Sequence, residues 1–227
     1  RKEMKDKHGE VFTPYKLINK MMNRLNLIDK SIFKNPYLKW LDPASGTGNF
    51  PMVVFTMLND GLKDYNKKGL DLRNEKKRKE HIIKNMLYMV EIQKDNVMVS
   101  RKIFGKDANI YCGSFLTNDN KSINPEVLKK FKLNKFDIIM GNPPFNKEKK
   151  EKHTGSTSNK ELWVNFSLSS IDLLKENGYL LFIHPQNWRG LGPTFRNLWE
   201  IIKKYQLHFL NIFNKKDGKK YFNAGTR

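Results

Sequence analysis

The segment Asn142-Pro143-Pro144-Phe145 is built from residue types whose chemistry is narrow. Two consecutive prolines hold the backbone extended and remove two N–H donors. The carbonyls there meet no competing local donor. The Asn142 side-chain oxygen and the Pro143 carbonyl can therefore both accept hydrogen bonds from one NH₂ group. An aryl amine is a poor nucleophile, because its lone pair is delocalised into the ring. Two in-plane acceptors push its nitrogen toward tetrahedral geometry, and their dipoles stabilise positive charge developing there. Phe145 offers a face on which a base stacks. Against a strong electrophile such as a sulfonium methyl group, no general base is needed before attack, and positioning is the main task. The plain alternative is a rigid turn that packs an aromatic ring.

A second constellation is Asp42-Pro43-Ala44-Ser45-Gly46-Thr47-Gly48-Asn49-Phe50. Gly46 and Gly48 let the backbone approach a ligand, and a helix N-terminus behind them presents N–H groups. A dinucleotide-binding turn wants a third glycine, and Pro51 stands in its place, which disfavours NAD. Asp42 before the turn can meet a cationic ligand group such as an ammonium. By itself the turn is equally a tight strand–helix connection. Glu91 closes the next strand candidate, where an acid can bind two ribose hydroxyls in the crevice of an open sheet. The Gly48-to-Glu91 gap exceeds the usual ~20 residues, and a charged insertion at 62–81 accounts for the excess. Read alone, Glu91 is a surface acid.

These residues need elements to hold them. Thr13-Pro14 reads as a helix N-cap followed by proline at the first helical position. Leu17, Met21 and Leu25, with Ile18 and Met22 beside them, make that helix amphipathic. Strands are expected at Tyr37–Leu41, Met86–Ile92, Asn109–Tyr111, Phe136–Met140, Tyr179–His184 and Gln206–Phe213. Helices are expected at Met52–Leu58, Asp95–Phe104, Leu162–Leu174 and Phe195–Lys203, with a turn at Lys215–Lys220. Phe136–Met140 is continuously apolar, as a buried parallel strand should be. Lys76-Lys77-Arg78-Lys79 within 62–81 reads as a solvated helix face. Residues 146–160 carry lysines, Gly155 and small polar residues without periodicity, which suits a mobile loop. Alternating strands and helices predict an α/β domain with a largely parallel sheet.

Composition sets the outer limits. Fifteen Phe, eight Tyr and four Trp supply a core, and 227 residues suit one α/β domain. The single cysteine, Cys112, excludes an intramolecular disulfide and suits a reducing compartment. Five scattered histidines lack metal-ligand spacing, so no metal site is expected. No apolar run reaches a membrane-spanning length and no signal peptide is visible, so a cytoplasmic protein is expected. The chain begins at Arg1, so its true N-terminus is expected upstream. A net charge of +20 attracts polyanions. Of 43 basic residues only eight are Arg, and a Lys- and Asn-rich chain also follows from an AT-rich genome.

Together these motifs resemble the γ-type amino-methyltransferases of DNA, especially the N6-adenine enzymes of restriction–modification systems that join methylase and restriction functions in one polypeptide. The resemblance runs in order from Gly9 to about Phe222. It implies a doubly wound, Rossmann-like α/β sheet that binds S-adenosylmethionine, with the last strand at or beyond the chain's end. Gly9-Glu10-Val11-Phe12-Thr13-Pro14 is similar to the family's N-terminal cofactor motif, so Thr13 is implied to contact the methionine part. By the same resemblance Asp42, Pro43, Ala44, Gly46 and Gly48 form the cofactor turn, with Phe50 on the adenosine side. Glu91 is the implied ribose ligand, with Ile92 beside the cofactor adenine. Asn142, Pro143, Pro144 and Phe145 match the catalytic motif, and Tyr179–Pro185 the core strand that follows. Where the family usually has an acid after the third strand, this sequence has Ser114, a weaker acceptor for the adenine amine. Phe115 is implied to flank that ring.

The organisation implied is an N-terminal helical cofactor-binding segment at 1–30 and a catalytic core at 31–227, without the family's separate target-recognition domain. The implied reaction is methyl transfer to adenine N6 in double-stranded DNA, on a base rotated out of the duplex. The base pocket would contain Asn142, Pro143 and Phe145, with residues near Trp163 and Phe166 as walls and Phe222 as a further aromatic. A restriction subunit or fused nuclease is expected outside this chain. Rivals of like chemistry are RNA adenine, cytosine N4 and a protein glutamine amide. A rival of another class is a catalytically silent DNA-binding subunit.

Overall fold

The computed structural model describes residues 12–145, 162–190 and 192–222. Gly9, Glu10 and Val11 of the N-terminal motif, and the lysine-bearing 146–160 segment, lie outside the described residues.

Helix α1 (Tyr15–Ile28) buries Leu17, Ile18, Met21, Met22 and Leu25 along one face, as the spacing predicts. It begins one residue later than expected. Pro14 is the capping residue, and Thr13 makes no side-chain cap. The reason is tertiary: the Thr13 carbonyl accepts a 3.0 Å hydrogen bond from Asn49 Nδ2, which ties this entry segment to the glycine turn.

Five parallel strands form the sheet, in the order β5-β4-β1-β6-β7. They are β1 (Trp40–Asp42), β4 (Leu87–Glu91), β5 (Asn109–Cys112), β6 (Phe136–Gly141) and β7 (Leu174–Phe182). Helices α2 (Asn49–Gly61), α4 (Lys94–Phe104), α5 (Pro125–Phe131) and α6 (Leu162–Asp172) connect them. Parallel neighbours require such crossovers, and these cover both faces of the sheet. One core packs α1 and α2 against Trp40, Met89, Ile138 and Met140. The other packs Leu41, Val90, Phe136 and Ile139 against Phe131, Phe115 and Phe166. Alternate residues of β1, β4 and β6 enter opposite cores, so these strands are apolar on both sides. None of the described helices is long and apolar enough to cross a membrane.

The order turns around β1: the chain goes β1, β4, β5 toward one edge, then returns to place β6 and β7 on the other side. This is the expected doubly wound α/β sheet. A crevice forms at such a switch point, outside the carboxyl ends of the central strands.

Several local expectations need correction. The insertion holds a hairpin, β2 (Asn66–Lys67) with β3 (Leu70–Asp71), and helix α3 (Glu75–His81). Within its charge run Arg78 is buried, only 7% exposed, rather than solvated. Its guanidinium donates to Asn59 Oδ1 and to the carbonyls of Leu72 and Arg73, so its burial is compensated. Strand β7 starts at Leu174 rather than Tyr179, with a register shift before Tyr179. Gln206–Phe213 is not a strand. Phe209 and Phe213 pack against the core, and His208 lies against Tyr179 at 5.7 Å, yet among the described residues no ladder pairs this segment. Its apolar residues suit a strand, but strand formation also requires a paired neighbour. Lys215–Lys220 is not a turn but part of helix α8 (Lys215–Phe222). Helix α7 (Arg196–Ile202) falls where a helix is expected.

Candidate active site

Four adjacent strands end at the same edge, and each ends beside a residue singled out from sequence. Asp42 ends β1, Glu91 ends β4, Ser114 follows β5, and Asn142 follows β6. Parallel pairing makes this inevitable once the order is β5-β4-β1-β6, because every carboxyl end then points the same way.

Asp42 is 1% exposed, and its Oδ1 accepts from the Ala44 amide at 3.1 Å. Burial pushes its carboxyl from the ordinary 3.8 up to about 8; the Ala44 amide opposes this and the Glu91 charge adds to it. Among the described residues no lysine, arginine or histidine pairs with it. A buried carboxyl without a protein cation is suited to a ligand that brings one. Gly141, at φ +156°, lies against Asp42. A Cβ there would come within 2.8 Å of Asp42 Oδ1, so the backbone entering the Asn-Pro-Pro-Phe turn and the buried acid need a glycine between them.

Glu91 organises the glycine turn. Its Oε2 accepts from the Gly46 amide at 2.8 Å and its Oε1 from the Gln93 amide at 2.7 Å. The Ser45 amide donates to the Val90 carbonyl at 2.9 Å. Thus the end of β4 holds the loop after β1 by two backbone amides, those of Ser45 and Gly46, while the Gln93 amide fixes the other carboxylate oxygen, and Glu91 is 7% exposed rather than a surface acid. Gly48, at φ +92°, precedes α2, and Ser100 Oγ of α4 reaches the Gly46 carbonyl at 3.5 Å. Ala44 and Gly46 are half-buried, Pro43 and Phe50 are buried, and Ile92 is largely exposed beside the crevice.

After β5, the Ser114 hydroxyl donates to the Leu116 carbonyl at 2.7 Å, while the Ser114 carbonyl accepts from Asn124 Nδ2 at 3.0 Å. Phe115 is 2% exposed and stacks on Phe166 with ring centroids 5.2 Å apart. It is a core aromatic, so contact with a ligand ring is confined to its backbone or ring edge.

In the Asn-Pro-Pro-Phe turn, Asn142 and Phe145 are half-buried, Pro143 is buried and Pro144 exposed. The Ile183 amide donates to the Gly141 carbonyl at 3.0 Å, so β7 fixes the strand up to the turn. The Phe145 carbonyl accepts from the Leu162 amide at 3.0 Å, which anchors the far side of the turn to the start of α6. Phe145 packs against a cluster of Trp163, Val164, Trp188, Phe195 and Leu198. Trp163 and Phe166, expected near the walls, are 1% and 6% exposed and back the site from behind. Phe222 packs against the main core instead, alongside Tyr221.

The structure thus brings together Thr13, the glycine turn, Glu91 and the strand end that carries Asn142. Sequence reasoning missed Asn49, which links Thr13 to the turn, and Gly141. Asn49 follows the second glycine of the motif, and Gly141 directly precedes Asn142; neither position reveals its contact without the fold.

The order of strands and the crevice at their carboxyl ends define the class: a doubly wound α/β domain of the methyltransferase kind. It shares its fold with a candidate class I S-adenosylmethionine-dependent methyltransferase of Listeria monocytogenes (17% identity, TM-score 0.53, covering 85% of this chain and 52% of that one). It also shares it with the type IIL restriction–modification enzyme MmeI, solved in complex with DNA (18% identity, TM-score 0.55, covering 88% of this chain and 33% of that one). Residues 24–218 match the Eco57I restriction-modification methylase family, and the chain belongs to that family. An uncharacterized adenine-specific methylase of Mycoplasma pneumoniae is 28% identical over 276 residues, covering 91% of this chain. The match spans 62% of that relative's length.

Proposed function

We propose that this chain is the catalytic part of an enzyme that transfers a methyl group from S-adenosylmethionine to adenine N6 in double-stranded DNA, within a restriction–modification system. The observation that carries this reading is the convergence of Asp42, the Glu91-held glycine turn and Asn142-Pro143-Pro144-Phe145 on adjacent parallel strand ends. Family membership and the adenine-specific relative support it.

In this reading Asp42 meets the cationic methionine end of the cofactor, Glu91 its ribose, and the Ser114–Phe115 segment its adenine. Thr13, Pro43, Ala44, Gly46, Gly48, Phe50 and Ile92 complete that surround. The cofactor supplies an electrophilic methyl group. Asn142 and the Pro143 carbonyl hold the target amine, Pro144 keeps the turn extended, and Phe145 stacks on the base. Their oriented dipoles stabilise the positive charge that develops on nitrogen. Residues 1–30 serve as a cofactor-binding segment on the core at 31–227. A restriction subunit or fused nuclease is its partner in this reading, in the cytoplasm.

The test is transfer of tritiated methyl from S-adenosylmethionine to unmethylated AT-rich duplex DNA by the full-length protein. Label should appear as N6-methyladenine. Asn142→Ala should lower kcat by on the order of 10²–10³, the usual cost of deleting one preorganised polar group, while retaining cofactor binding. Label in RNA, in cytosine or in protein would assign one of the rival substrates. Neither cofactor binding nor transfer would leave a silent subunit.

A further inference from the structure

His184 lies two residues beyond Phe182, which pairs with Gly141 at the end of β6. The segment leaving β7 therefore runs beside the Asn-Pro-Pro-Phe turn. Its imidazole lies flat on Trp163, with centroids 4.7 Å apart and planes 6° apart. It also meets the edge of Trp188 at 5.9 Å. His184 Nδ1 lies 2.9 Å from the Pro185 carbonyl, a geometry in which Nδ1 carries the proton and donates. That bond fixes the ring plane, and burial holds the imidazole below its ordinary value, which keeps it neutral.

Trp163 is itself almost inaccessible and follows Leu162, whose amide donates to the Phe145 carbonyl. Phe145 packs on the same aromatic cluster, which Trp199 closes by donating from Nε1 to the Trp188 carbonyl at 2.8 Å. The cluster therefore links the His184 stack to the ring and backbone of Phe145. A flat stack held by a fixed ring plane is a stiff support, whereas alanine at 184 would leave the indole face uncovered.

We propose that His184 is a positioning residue for Phe145. It acts through Trp163 to set the aromatic wall against which the target base stacks, and its aromatic face does this, not its ring nitrogens. This rests on the reading of Phe145 as the base-stacking residue.

The test compares His184→Ala, His184→Phe and His184→Gln in the full-length protein, by steady-state methyl transfer to DNA and by equilibrium binding of S-adenosylmethionine. His184→Ala should lower kcat by about ten- to a hundred-fold, the scale of a ~1 Å misplacement near the reacting atoms. Cofactor affinity should stay within about twofold, since none of the cofactor residues belongs to the Trp163 cluster. His184→Phe restores the stack and should recover most of kcat, while His184→Gln should resemble His184→Ala. A His184→Phe variant as impaired as His184→Ala would overturn the proposal, because the nitrogens would then be what matters. Equal losses of cofactor binding and kcat in every variant would also overturn it, by indicating general loss of structure. A wild type that binds cofactor but leaves adenine unmethylated would fail the functional reading before any variant is made.

Discussion

At Asp42 a carboxyl is enclosed at a strand end with one amide donor and, among the described residues, no cation beside it. The consequence is a pH dependence whose sign is set. Its folded-state value, about 8, lies above the ordinary 3.8. The neutral carboxyl is therefore favoured by folding. That stability is fully present below about pH 4 and is lost as pH rises through about 8. Asp42→Asn keeps the shape and removes the titration. Its melting temperature, relative to wild type without cofactor, should rise between about pH 4 and about pH 8 and level off above that in a thermal scan. A pH-independent difference would contradict a buried, ligand-awaiting acid. The same variant should bind S-adenosylmethionine more weakly, because an amide cannot pair with an ammonium.

At the scale of elements, the glycine turn is held from three sides: by β4 through Glu91, by α4 through Ser100, and by the entry to α1 through Thr13 and Asn49. Gly48 is where this enclosure leaves no room. Its φ is +92°, and a Cβ would fall 2.9 Å from Cε2 of Phe104, itself buried. Gly48→Ala combines backbone strain with a clash against α4, at a cost of about 1–3 kcal/mol. Calorimetry should find a melting temperature lowered by about 2–4 °C per kcal/mol at this chain length. Cofactor titration should find weakened binding, since the turn must shift to admit the methyl group. Unchanged stability and binding would mean that α4 does not press on the turn.

For the molecule as a whole, charge sets how the chain meets a polyanion. The ion pairs Lys63–Asp60, Arg73–Asp71, Lys79–Glu75 and Lys84–Glu80 use up acids near the insertion. With a net charge of +20, a large excess of lysine remains however the acids are paired. Binding of duplex DNA, measured by titration, should weaken on the order of a thousandfold between about 50 and 200 mM salt, as for about six phosphate contacts. Salt-independent binding would show that the excess charge is a solvated surface and nothing more.

The sequence alone determined most of the fold, because continuous apolar strands, amphipathic helices and glycine turns are local patterns with a period. It also marked Asp42, Glu91 and Asn142, because together, and in this order, their motifs resemble those of one family, though Glu91 alone reads as a surface acid. It misread Thr13 as a cap, Arg78 as solvated and 206–213 as a strand. In each case the outcome depends on a partner far along the chain: Asn49 for Thr13, Asn59 for Arg78, and a pairing neighbour that 206–213 does not have among the described residues. Only the tertiary structure decided that Trp163 and Phe166 stand behind the site and that His184 stacks on Trp163. Ring-to-ring contacts between β7 and α6 depend on how two elements dock, and no local pattern in either segment encodes that angle.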